Sequence, residues 1–181
     1  MIDTMKVLGS MAEIVMNVSI SFRAHNSDLI TIINCDSLNL EQMIKAVEDG
    51  QCANYIEAAK QDLNKLAAAV EKKVTGRILF SDTAVKELNG LVIGLITYIN
   101  NVQDYLSTGN KVLQQSIKDD AKQYAQLARD YATKHEERLI QGVCQPRSST
   151  LYLDTLSGIE GIFYNLYCMA VKTEAAIRSC A

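Results

Sequence analysis

Apolar residues return at steps of three and four almost throughout this chain, and no period of two is sustained. That rhythm predicts amphipathic helices. A first helix carries Leu8, Met11, Val15, Val18 and Phe22 on one face, and a second, bent one covers about 28–48. Asp49-Gly50 supplies a stop signal for it. A third runs from about 52 to 75 through Ile56, Ala59, Leu63, Leu66 and Val70. ILFSD then breaks the pattern, and Ser81 or Asp82 caps a fourth helix with Val85, Leu88, Leu91, Leu95, Ile99 and Val102 inside. Thr108-Gly109-Asn110 turns the chain into a long fifth helix reaching about 141. Its seam is Leu113, Ile117, Ala121, Tyr124, Leu127, Tyr131, His135 and Leu139. After the loop GVCQPRS a sixth helix spans about 149–178.

Six amphipathic helices joined by short connections make an antiparallel bundle, because short loops turn each helix back along its predecessor. The expected class is all-α. An internal echo suggests how the helices group. IEAAKQDLNKLA at 56–67 and IEGIFYNLYCMA at 159–170 share Ile, Glu, Leu and Ala at an offset of 103, whereas the first and fourth helices align at an offset of 80. Two three-helix halves, the second with a longer middle helix, account for both offsets. We therefore expect a single domain over 1–181 with halves of about 1–77 and 78–181.

Composition narrows the function. With 181 residues, 48% of them apolar, the chain can bury roughly 70% of its unfolded surface without metal or disulfide staples. Eighteen basic and 21 acidic residues give a net charge of −3 with no basic cluster, which disfavours nucleic acid as a partner. The longest apolar run, LVIGLITYI at 91–99, is half the length a bilayer demands, so no membrane span is expected within the chain. The five cysteines, Cys35, Cys52, Cys144, Cys168 and Cys180, include no C-x-x-C pair. They read as reduced thiols of a cytosolic compartment, with Cys168 a small core residue.

His135, Arg138-Leu139, Gly142, Cys144, Pro146, Ser149 and Tyr152-Leu153-Asp154 in HEERLIQGVCQPRSSTLYLDTL resemble the second half of PhoU-type domains. The closest likeness is to the version that follows the membrane portion of bacterial sodium/phosphate cotransporters. LFSDTAVKELNGL at 79–91 is similar to the opening of that family's fourth helix. The likeness is good over 79–170 and weak over 1–78. It implies two three-helix bundles side by side and a role in regulating phosphate uptake at the cytoplasmic, inner face of the plasma membrane. The partner it implies is a phosphate transporter, with this chain as its C-terminal tail or as a separate subunit.

The resemblance also raises a metal site, because many such domains hold iron or zinc clusters through Glu-x-x-x-Asp motifs, one per half. Here Glu57 and Glu160 occupy the Glu places, but Gln61 and Tyr164 stand where each Asp belongs. The family's Leu-Glu-Arg-x-x-Asp-His continuation is likewise broken, with Gly161 and Asn165 at its Arg and His. Acidic partners from the middle helices fall near Asp36–Asn39 and Ala121–Ala125, where Asp36 is the one anion. A hard or borderline cation needs several anionic or imidazole ligands converging on one point. Glu57, Glu160 and Asp36 are thus the candidate ligands of a degenerate site, and no cofactor is expected. A lone inward carboxylate is more often satisfied by a basic or hydroxyl side chain.

Neither histidine stands in a Glu-x-x-His pair, so a di-iron oxidase is not indicated. His135 reads as a packed core imidazole, no Ser or Cys has a local base, and no glycine-rich phosphate loop occurs. An enzyme is not expected. Gly158, Gly161, Asn165 and Asp154 form a small-residue stripe opposite the apolar arc of the sixth helix, fit for close approach by another helix. Gly90 and Gly94 repeat the theme on the fourth. Three functions follow: a non-catalytic PhoU-like regulator of phosphate transport, a carboxylate metal-binding bundle, or a metal-free helical module that self-associates as a homodimer through its glycine faces.

Overall fold

The computed structural model describes residues 50–179; the two helices expected before residue 50, and Asp36 with them, lie outside the described residues. The described part is helical with no strand. It comprises α1 (Gly50–Thr75), α2 (Asp82–Thr108), α3 (Lys111–Ile140) and α4 (Pro146–Ser179). These are the third to sixth helices of the sequence reading. The six-helix count and the division into halves extend beyond the described residues.

Local chemistry sets the boundaries. Gly50, read as a stop for the preceding helix, is the first residue of α1. The Ser81 hydroxyl caps α2 by accepting from the Ala84 amide at 3.3 Å. Gly109 ends that helix in the left-handed region at φ 66°, and Asn110 caps α3 by accepting from Val112 N at 2.8 Å. Gly142, at φ 71°, lets the chain leave α3. α4 opens at Pro146, three residues ahead of expectation. Proline suits a first helical position, where its missing N–H has no intrahelical acceptor to lose.

Side-chain contacts fix the directions. Glu87 meets Arg138 at one end of the α2–α3 pair and Tyr105 meets Gln114 at the other, so these helices are antiparallel. Tyr124 stacks on Phe163 while His135 bonds Ser149, making α3 and α4 antiparallel too. α2 and α4 run parallel, joined by Glu87–Tyr152 and Tyr98–Phe163. α1 lies antiparallel on α4, with Leu66 against Gly158 and Asp62 against Gly161. One apolar core joins Leu63 and Leu66 of α1, Leu88, Leu91 and Leu95 of α2, Ile117 of α3, and Tyr152, Ile159 and Phe163 of α4.

α4 is therefore the central helix. Its apolar arc faces α2 and α3, and its glycine stripe faces α1. A Cβ on Gly158 would come within 3.1 Å of the Asp62 carbonyl oxygen, and one on Gly161 would meet the Asp62 carboxylate. The close approach expected from the small residues is thus made inside the fold. Gly94 is packed beneath the Tyr124 ring, whereas Gly90 has nothing near it and is exposed. Cys168, expected in the core, is half-buried, and both it and Cys144 are free thiols.

Candidate functional site

Two polar places interrupt the apolar packing. The first is a groove of about 440 Å³ where α1, α3 and α4 come together, lined by Asp62, Lys118, Lys122, Arg129, Glu160 and Tyr164 among others. Glu160 projects into it from α4 and pairs with Arg129, Oε1 to Nη2 at 3.3 Å, with Nε also donating. With Arg129 68% exposed, this pair contributes at most about 1 kcal/mol. Asp62 accepts from Asn165 Nδ2 at 3.0 Å and pairs with Lys65 Nζ at 2.8 Å. Asp62 and Asn165 stand 103 residues apart, the offset of the internal echo. Both carboxylates of the groove thus have protein partners, and Lys118 and Lys122, one turn apart on α3, add positive charge to its wall.

The expected ligands are not gathered there. Glu160 lines the groove and Glu57 does not. Because α1 runs antiparallel to α4 with Asp62 opposite Gly161, Glu57 stands five residues along the helix, about 7.5 Å from that meeting point. Glu57 is half-buried, and its Oε2 has no hydrogen-bond partner among the described residues. Gln61 and Tyr164, at the family's Asp places, are both exposed. Among the described residues no three His, Cys, Asp or Glu side chains come close enough to hold a metal ion.

The second place is a network at the end where α2 and α4 begin. Arg138 grips Glu87 through two bonds of 2.9 and 2.7 Å, and the Tyr152 hydroxyl donates to the same carboxylate at 2.5 Å. Glu87 and Arg138 are 10% and 15% exposed, so the pair is largely withdrawn from water. Two-pronged geometry and a third donor are what a desolvated carboxylate requires. Burial and the adjacent Glu87 push the Tyr152 hydroxyl well above the ordinary tyrosine range. The bond to Glu87 holds Arg138 firmly protonated. His135 stacks on Tyr152 with ring centroids 4.4 Å apart, and its Nε2 meets Ser149 Oγ at 2.8 Å. Burial, then the Arg138 charge, lowers the His135 pKa below its ordinary value.

The imidazole is thus packed in the core as its place on the seam suggested. The sequence reading did not single out Glu87, Asp62 or Arg129. For Asp62 a signal existed: it lies three residues after Ala59 and four before Leu66, at the edge of the buried stripe of α1. Arg129 and Glu87 gave no local sign, since their partners are 31 and at least 51 residues away.

Fold and sites together define an all-helical bundle stabilised by a buried ion-pair network, with a mixed-charge groove beside it. No family model, curated protein or solved structure matches the chain.

Proposed function

We propose that this chain is a non-catalytic PhoU-like regulatory domain acting on phosphate transport at the cytoplasmic face of a membrane transporter. The observation that carries the reading is the corner network. The two stretches that resemble the family, 79–91 and 135–154, meet there through Glu87, Arg138 and Tyr152. Side chains of the resemblance are thus bonded to one another, as residues of one structural motif should be. The groove favours regulation by contact over regulation by metal, because Arg129 and Asn165 occupy carboxylates that a cluster would need. No described helix is long and apolar enough to cross a membrane, so the membrane portion belongs to another segment or subunit.

The test is affinity purification of the tagged chain from detergent-solubilised membranes of its own cells. Recovery of a phosphate transporter, lost when the groove is reversed in charge by Lys118→Glu with Lys122→Glu, is the expected result. Recovery of no membrane protein from cells in which the chain is abundant contradicts the reading.

A further inference from the structure

The groove between α1, α3 and α4 has room as well as charge. Its volume of about 440 Å³ falls in the roughly 300–1,000 Å³ range of pockets that hold small organic ligands. Small side chains make that room. Ala121 and Ala125 stand one turn apart on α3, Ser157 and Gly161 one turn apart on α4, and neither pair reaches far into the space between the walls.

The two ends of the groove differ. Tyr124 of α3 stacks on Phe163 of the antiparallel α4, which sets the register of the walls. Lys122 lies two residues from Tyr124 in the direction in which Tyr164 lies one residue from Phe163, so the two stand within about 1.5 Å of one level along the helix axes. By the same count Lys118 and Tyr167 stand within about 3 Å of one level. At this end an ammonium is thus matched with a phenol ring on two successive turns. Toward the other end Arg129 and Glu160 close on each other at 3.3 Å.

The carboxylates of the groove do not neutralise the lysine end. Asp62 gives one oxygen to Lys65 and the other to Asn165, and Glu160 is taken by Arg129. Lys122 is exposed and has no ion pair or hydrogen bond from its side chain among the described residues. Tyr164, 62% exposed, and Tyr167, half-buried, leave ring surface open on the same stretch. Ammonium groups hold phosphate as point charges, and accessible aromatic faces take flat rings. We infer that the groove binds a small aromatic phosphate ester, of the nucleoside monophosphate class, with its phosphate between Lys118 and Lys122 and its ring against Tyr164 and Tyr167. The inference rests on the reading of the groove as the regulatory face and gives that face a soluble signal. A bound phosphate neutralises the two lysines on which the proposed transporter contact depends, so ligand and transporter exclude each other.

The test is isothermal titration calorimetry of the purified full chain with AMP, and separately with adenosine and inorganic phosphate, at matched ionic strength. Saturable AMP binding in the submillimolar range is expected. Adenosine and inorganic phosphate should each bind roughly tenfold or more weakly, because each lacks one half of the contact. Lys122→Glu, at an exposed position, should abolish the preference for AMP over adenosine. Ala125→Leu, which adds no charge and fills the groove, should weaken AMP and adenosine alike. If circular dichroism shows Ala125→Leu unfolded, Lys122→Glu carries the comparison. The inference is overturned if AMP shows no saturable binding, if adenosine or inorganic phosphate binds as tightly as AMP, or if the folded variants bind AMP as wild type does. No membrane protein takes part in this titration, so its failure leaves the transporter recovery test standing, and failure of that test leaves the titration readable.

Discussion

Glu87 sits inside a bundle on terms that a carboxylate can meet only with partners, and each partner has a measurable share. Removing Arg138 leaves the anion with Tyr152 alone. Arg138→Met is expected to destabilise the fold by about 3 kcal/mol, read from the midpoint of urea unfolding, because an unpaired buried charge is what remains. An unchanged midpoint would mean that water already satisfies the carboxylate. His135 makes a prediction in pH. Its folded-state pKa is lowered from 6.5, so below that pH the unfolded chain takes up a proton that the folded one refuses. Stability therefore falls as pH drops from about 6.5 toward the folded value, by at most about 1.4 kcal/mol per pH unit for this one group. His135→Phe should flatten that segment of the stability profile. The sequence showed His135 on a helical seam because periodicity is local. It could not show Glu87 as the anchor, since its partners stand 51 and 65 residues further on and only folding brings them together.

For single helices the turn chemistry was legible: Ser81, the Gly109-Asn110 turn and the seam of α3 lie where the sequence puts them. Pro146 falls in the expected loop GVCQPRS but is the first residue of α4, an ambiguity built into proline, which both ends helices and begins them. The glycine stripe of α4 was legible as a contact face, but its partner was not. Both a dimer and a neighbouring helix would use the same small residues, and α1 proves to be the neighbour. Gly158→Leu is accordingly expected to unseat α1 and destabilise the chain by about 1–3 kcal/mol of overpacking in thermal or chemical unfolding. Gly90→Ala is the control. Nothing lies within 4 Å of its added methyl group, so relief of the glycine penalty should stabilise the fold by about 0.5–1 kcal/mol.

The molecule as a whole turns on what became of its inward carboxylates. Glu160 and Asp62 have Arg129, Lys65 and Asn165, while Glu57 retains an orphan oxygen away from the groove. Among the described residues no three His, Cys, Asp or Glu side chains come together as ligands for iron or zinc. Protein purified without chelator should carry less than about a tenth of an equivalent of either by elemental analysis. A stoichiometric metal would instead place Glu57 at the head of the ligand list. The surface that the proposed regulation by contact would use is the groove between α1, α3 and α4, with lysines on its wall and the exposed Tyr164 at its side. The most direct test of regulation by contact is phosphate uptake, measured with radiolabelled phosphate in cells that carry the chain and in cells from which its coding segment is deleted. Deletion is expected to change the uptake rate or its response to external phosphate, and the wild-type chain to restore it while the Lys118→Glu, Lys122→Glu form does not. Identical uptake in all three would contradict it.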